Sequence, residues 1–342
     1  MSGLKERNTS MPWSRMKRAF IWAFSSCALM ASLGVGTALA QSNAPWPSRN
    51  VTMIVPFPAG GNSDTMARVL AQKLSEKFGQ SFVVENRVGA SGSIGTAAAV
   101  RAPADGYTLL FAAFQQISVL PVTEKVNYDP KKDITYISIF GEGPFVLGMS
   151  TTKTTAKDFK EFIALAKAKP GAMSYASGGV SSGSHLIAAL TFAKAGANIT
   201  HVPYRGGAPA VADLLGGHVE SYFGNASELI PVSNDPRVKI IVASSEKRMP
   251  QLPNVPTVSE FFPGVVMTTW NGLMGPENLP KEIVDRLASA VQEAARDPAV
   301  IKTLGELGIT TVGNTPAQFK TRIASEQGLF EEAIKAAKLP VN

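Results

Sequence analysis

Two rhythms of apolar and polar positions alternate along this chain. Short apolar runs, such as Val51-Thr-Met-Ile-Val-Pro-Phe57, Phe82-Val-Val-Glu85 and Tyr107-Thr-Leu-Leu-Phe-Ala112, read as strands. Between them apolar residues recur every three or four positions. In the first such stretch Met66, Val69, Leu70 and Leu74 form one helical face. Strand and helix patterns alternate in this way almost throughout, which predicts an α/β architecture with largely parallel sheets.

A second unit is expected after the strand-like runs Tyr136-Ile-Ser-Ile-Phe140 and Pro144-Phe-Val-Leu-Gly148. Thr155-Ala-Lys-Asp158 resembles a capping box opening a helix with Phe159, Phe162, Ile163 and Ala166 inward. Strands follow at Met173-Ser-Tyr-Ala176, Ile199-Thr-His-Val202 and Val219-Glu-Ser-Tyr-Phe223, each leading through a loop to a helix. The run Val265-Val-Met-Thr-Thr-Trp270 reads as a return path, and two helices, opened at Pro280 and Thr315, close the chain. The simplest arrangement inserts one α/β lobe, residues 144–265, into another made of residues 41–143 and 266–342. Two extended crossings join them as a hinge.

Ligands of such sheets sit beyond the carboxyl ends of the strands, and the loops there carry the chemistry. The first, Pro58-Ala-Gly-Gly-Asn-Ser63, joins a strand to a helix start through Ala59, Gly60 and Gly61. Glycine permits close backbone approach, and a helix start leaves N–H groups unpaired at the positive end of its dipole. That is an anion cradle. Asp64 either caps the helix or accepts from a ligand donor. A second cradle is Ser177-Gly-Gly-Val-Ser-Ser-Gly-Ser184, with four hydroxyls and several glycine N–H groups, that of Gly178 among them, at a helix start. Tyr204-Arg205-Gly-Gly-Ala-Pro209 makes a third turn, where Arg205 either meets a carboxylate or lies solvated at the rim. Phe57, Phe114, Tyr204, Phe223 and Trp270 either line a cleft or pack in the core. Gln115, Gln116 and Asn225 are amides suited to reading a polar ligand.

Gly179-Val-Ser181-Ser-Gly183 fits the nucleophile-elbow pattern, so a secreted serine esterase using Ser181 is the rival reading. It lacks a downstream base: the histidines are His185, His201 and His218, and His218 follows Asp213 across a Gly-Gly turn. Neither His185 nor His201 has ligand partners at metal-binding spacing, so no metal is expected.

The first forty residues change the picture of charge. Arg15, Lys17 and Arg18 precede an apolar run ending near Gly36, and Ala38-Leu-Ala40 supplies a cleavage signal. This predicts a secretory signal peptide cut after Ala40, hence a periplasmic protein. The single cysteine, Cys27, lies inside that segment, which leaves no disulfide or thiolate site beyond it. The whole chain is formally +7, but beyond residue 40 it holds 28 basic and 25 acidic residues, a net of +3. The charges alternate along helices and do not cluster, which argues against nucleic acid.

Several motifs occur together and in order: Val55-Pro-Phe-Pro-Ala-Gly-Gly61 with Asp64 and Arg68, Glu85-Asn-Arg87 with Gly89-Ala-Ser-Gly92, Ala104-Asp-Gly-Tyr107, Tyr175-Ala-Ser177, His201-Val-Pro-Tyr204, Asp213-Leu-Leu-Gly-Gly217 and Val255-Pro-Thr-Val258. Over nearly the whole chain beyond residue 40 the sequence resembles the Bug-type receptors, extracytoplasmic solute-binding proteins of tripartite tricarboxylate transporters. The resemblance implies a two-lobed, type II-like binding-protein fold, each lobe a mostly parallel sheet flanked by helices. It implies a monomeric, non-enzymatic receptor without cofactor that hands small organic acids to membrane permease subunits. Carried over by residue, it places Phe57, Ala59, Gly60, Gly61 and Asp64 on one side of the ligand. Ser177, Gly178, Ser181, Ser182, Tyr204 and Asn225 lie opposite. Phe114, Gln115 and Gln116 depart from the small and hydroxyl residues common there, and no acidic residue precedes Asn225. These departures set an aromatic acid beside a short dicarboxylate as the expected ligand.

Overall fold

The computed structural model describes residues 46–341. The expected signal peptide and Cys27 lie outside the described residues. In order along the chain the strands are β1 (Val51–Val55), β2 (Phe82–Asn86), β3 (Thr108–Ala113), β4 (Ile134–Ser150), β5 (Ser174–Ser177), β6 (Thr200–Pro203), β7 (Ser221–Asn225), β8 (Val238–Ala243), β9 (Thr268–Pro276) and β10 (Thr310–Thr311). The helices are α1 (Asn62–Phe78), α2 (Ser93–Val100), α3 (Leu120–Thr123), α4 (Phe159–Ala168), α5 (Gly183–Ala195), α6 (Gly207–Leu215), α7 (Ala226–Leu229), α8 (Lys281–Arg296), α9 (Pro298–Gly305) and α10 (Pro316–Ala336).

Strand order is β2-β1-β3-β9-β4-β7-β5-β6, with β8 and β10 also on β4. The outer pairs β1/β2, β1/β3, β5/β6 and β5/β7 are parallel. Those around β4 and β9 are antiparallel, so the sheets are mixed at their shared centre. Instead of the two runs expected at 136–140 and 144–148, β4 is one strand of 17 residues. It pairs β9 as far as Pro144↔Thr268 and pairs β7 from Phe145↔Asn225. Ser244 pins this handover: Phe145 N donates to Ser244 Oγ (2.9 Å), and Ser244 N donates to the Phe145 carbonyl (2.8 Å).

Local chemistry explains the elements that carry the loops. β1 is apolar on both faces because α1 and α2 pack on it. α1 buries Met66, Leu70 and Leu74, and ends at Gly79 (φ 68), whose N–H returns to the Ser75 carbonyl. Truncating Leu70 to alanine would cost about 2–5 kcal/mol. The cap of α4 is Asp158, which accepts from Glu161 N at 2.9 Å, and the expected Thr155 box does not form. Asp158 is the residue in extended backbone next to the first helical turn, and Thr155 is three residues too early. β9 starts at Thr268, not Val265, because its ladder begins only opposite Pro144. α10 lays Phe330 flat on Phe114 (4.7 Å, 2° between planes), while Trp270 meets Phe319 edge-on at 5.1 Å. This apolar cluster runs on through Leu186 and Phe192 of α5, and seats the base of the cleft.

Candidate functional site

The loop after β1 is shaped from behind. Gly60, at φ 78, turns the chain in the left-handed region, and its N–H donates to Asp64 Oδ2 at 2.9 Å. Arg68 Nε donates to the same oxygen (2.9 Å), and Asn86 Nδ2 donates to Asp64 Oδ1 (2.8 Å) and to the Phe57 carbonyl (3.0 Å). Burial pushes the Asp64 carboxyl upward, but the hydrogen bonds from Arg68, Gly60 and Asn86 outweigh it and hold the group below its usual range. Asp64 therefore neither caps α1 nor faces the cleft; it fixes the turn. The side chains of Asn62 and Ser63 are held by Asn271, whose Nδ2 donates to Ser63 Oγ at 2.7 Å. From the other wall, Ser227 Oγ donates to Asn62 Oδ1 at 2.8 Å.

The loop after β5 is shaped from within. Ser182 Oγ donates to the Gly179 carbonyl (2.6 Å) and accepts from His185 N (3.2 Å), capping α5. Ser184 Oγ accepts from Gly178 N at 2.9 Å. Ser177 Oγ pairs with His201 Nε2 at 2.6 Å and accepts from Gly179 N. His185 and His201 stack 3.9 Å apart at 6°, with Tyr175 against His201. Burial, together with the neighbouring His201, lowers the His185 pKa to about 3; burial lowers His201 to about 4. Both rings are neutral at pH 7. Ser181 is 1 % exposed, at φ 60, and its backbone N–H, not its hydroxyl, reaches His185 Nδ1 (3.3 Å). No Ser–His–acid relay forms around Ser181 among the described residues.

The turn after β6 starts α6 at Gly207, which presses directly on the Glu228 carboxylate. Glu228 accepts from Tyr222 Oη (2.6 Å), Asn225 N (3.0 Å) and Asn225 Nδ2 (3.0 Å). Burial nevertheless leaves its pKa raised. Tyr204 donates to Asp213 Oδ2 at 2.6 Å, and burial with that carboxylate raises its pKa to about 12. Arg205 is exposed, with no hydrogen-bond or ion-pair partner among the described residues.

These loops enclose two adjoining compartments. The inner one, about 110 Å³, is lined from the first loop by Phe57, Ala59 and Gly61 and from the third by Arg205 and Gly207. Gly178, Ser182, Asn225, Gln115 and the edge of Phe114 complete it among the expected residues. The outer one, about 640 Å³, shares Phe57, Gln115, Gly178 and Arg205 and adds Tyr204. Gly60, Asp64, Gln116, Ser177 and Ser181 line neither; Gly60 is exposed, and the other four are buried behind the walls. Gln116 is fully buried and donates to the Ser91 carbonyl at 2.9 Å. Phe223 and Trp270 are core residues. Sequence reasoning missed Glu228, Thr269 and the supporting Asn271; it placed Asn62, Ser63, Gly183 and Ser184 in the cradle loops without singling them out. Asn225-x-x-Glu228 does match a capping-box spacing, a signal that could have found Glu228.

First-turn residues of α1 (Asn62, Ser63), α5 (Gly183, Ser184) and α6 (Gly207, Ala208) all line the inner compartment. Helix starts leave N–H groups without internal partners and concentrate positive potential. Neither α5 nor α6 has an acidic residue in its first turn, although the Glu228 carboxylate lies against α6. Gly183 is required there, since a Cβ would lie 2.6 Å from Phe114 Cζ. No cluster of three or more His, Cys, Asp or Glu able to hold a metal occurs among the described residues. The arrangement suits non-covalent capture of an anion.

Comparison with known proteins identifies the family and the fold. Residues 66–339 match the family described as "Tripartite tricarboxylate transporter family receptor". The BugT protein of Bordetella pertussis is 35% identical over 309 residues, covering 87% of this chain and 94% of that protein. A Rhodopseudomonas palustris protein solved with adipate superposes with a TM-score of 0.83 at 30% identity, covering 86% of this chain and 99% of the other. MatC from Rhodopseudomonas palustris with bound malate gives 0.78 at 28%, covering 84% and 100%. The fold is the two-lobed α/β type of these periplasmic binding proteins.

Proposed function

The chain belongs to the tripartite tricarboxylate transporter family of receptors, and we propose that it captures a small organic carboxylate between its lobes in the periplasm. It then hands the acid, chemically unchanged, to the membrane permease subunits of a tripartite transporter. Of the described residues, the lobes are 46–143 with 266–341, and 144–265; β4 makes one crossing and the segment leading into β9 the other. The observation that carries this reading is the inner compartment itself. Serine hydroxyls and carboxylates around it are bonded inward, while the first turns of α1 and α5 line it. Each charge-assisted hydrogen bond to a carboxylate contributes roughly 1.5–3 kcal/mol. Micromolar capture needs about 8 kcal/mol, which a few donors from each helix start supply. Neighbours solved with adipate and with malate support the ligand class.

Calorimetric titration with acetate, malate, adipate and 3-phenylpropionate, run with and without chelator, tests this. At least one acid should bind with chelator present and raise the melting temperature; at a hundredfold excess over Kd the stabilisation is about 2.7 kcal/mol. A panel that leaves the melting curve unmoved would overturn the ligand class.

A further inference from the structure

The inner compartment adjoins a second, larger space with which it shares Phe57, Gln115, Gly178 and Arg205. The walls of that outer compartment are mainly apolar: Pro56, Val88, Val180 and Pro203 line it together with the faces of Phe57 and Tyr204. Val88 and Val180 are 52 % and 45 % exposed, on loops from different sheets, and both line this one space. Isolated exposed valines need no explanation, but two from different loops lining one cavity form a shared apolar surface. Two of the polar side chains there are already engaged, while Arg205 is not. Tyr204 Oη donates to Asp213, and the Gln115 amide donates to the Ser91 carbonyl at 3.4 Å.

The wall beneath Val88 is also held in a costly shape. Gly89, Ala90, Ser91 and Gly92 run consecutively at φ 130, 43, 54 and 94. Two of them are non-glycine residues in the left-handed region, each costing about 1–3 kcal/mol. Gln116 Nε2 pins the run through the Ser91 carbonyl at 2.9 Å, and a Cβ at Gly92 would lie 2.6 Å from that same nitrogen. Strain persisting in a fixed wall points to a shape required by what lies against it.

We propose that the outer compartment is a second subsite, which takes the apolar, ring-sized body of a monocarboxylate whose acid group occupies the inner one. The proposal rests on the reading of the inner compartment as a carboxylate site. Arg205, which lines both spaces, lies over the body as a cation able to stack on a ring.

Acetate, 3-phenylpropionate and adipate are titrated into protein with labelled valine methyl groups. Burying a ring should tighten 3-phenylpropionate at least about tenfold over acetate, and its ring current should shift the Val88 and Val180 methyl resonances where acetate does not. In Val88→Ser/Val180→Ser, both exposed positions, that advantage should fall by about threefold or more, with acetate affinity unchanged. Phenylpropionate binding no tighter than acetate, adipate binding tightest with both methyls unmoved, or an advantage that survives the double substitution would overturn the second subsite while leaving the carboxylate reading in place. Failure of all three acids to bind would remove both.

Discussion

The loops after β1 and β5 present the same thing, the start of a helix, but they are built on opposite principles. The first is an ionic construction. A buried carboxylate, Asp64, gathers Gly60, Arg68 and Asn86 from turn, helix and strand. The second is neutral. Four serines and two stacked imidazoles close a loop on itself, with no ionised group in the set at pH 7. One function is thus supported by two scaffolds with different sensitivities, and the comparison can be broken experimentally.

The largest expected effect falls on the second loop. Gly183→Leu drives a side chain into Phe114 and Phe145, and closes the inner compartment. Binding should fall at least about a hundredfold, with stability lower by roughly 1–3 kcal/mol for overpacking. Calorimetry and denaturant titration check this; retained affinity would mean that the α5 start does not touch the ligand.

A smaller effect separates the two by pH. His201 has its folded pKa lowered to about 4 from 6.5, so the unfolded chain takes up this proton first. Its contribution is present above pH 6.5 and is lost as pH falls through 6.5 towards 4, by about 2–3 kcal/mol in all. Asp64, also lowered, keeps its contribution until pH falls below the ordinary carboxylate range near 3.8. The second scaffold should therefore loosen first on acidification. Thermal melts from pH 7.5 to 4.5 should decline in the natural protein and decline less steeply in His201→Asn, where the buried His185 still titrates. Equal slopes would show that the imidazole stack contributes nothing.

The smallest effect sharpens the ionic side. Arg68 is half exposed where it meets Asp64, so Arg68→Gln should cost about 0.5–1 kcal/mol, and less at high salt. A larger loss at 1 M salt would mean that Arg68 acts through packing and not charge.

Much of the frame was legible because it follows from local rules. Met66, Leu70 and Leu74 give α1 its buried face, and the glycine turn before it is visible in the sequence. What lay beyond reach depends on distant partners. The role of Asp64 is set by Asn86, 22 residues away, so capping and ligand contact looked equally natural for it. The hydroxyls of Ser177 and Ser182 read as ligand donors because the His201 ring and the Gly179 carbonyl that engage them come together only in the fold. Gly141-Glu-Gly143 reads as a break between strands, yet β4 runs through it, since pairing with β9 and β10 supplies the order that glycine lacks. Phe114 sat between cleft and core on sequence and turned out to serve both, edge to the cavity and face to Phe330.

The change of neighbours along β4 falls between Pro144 and Phe145. Proline brings no N–H, so where the ladder is interrupted the backbone has one fewer donor to leave stranded. The joint between the two sheets is thus a stiff, hydrogen-bonded ribbon with one yielding link, not a slack tether.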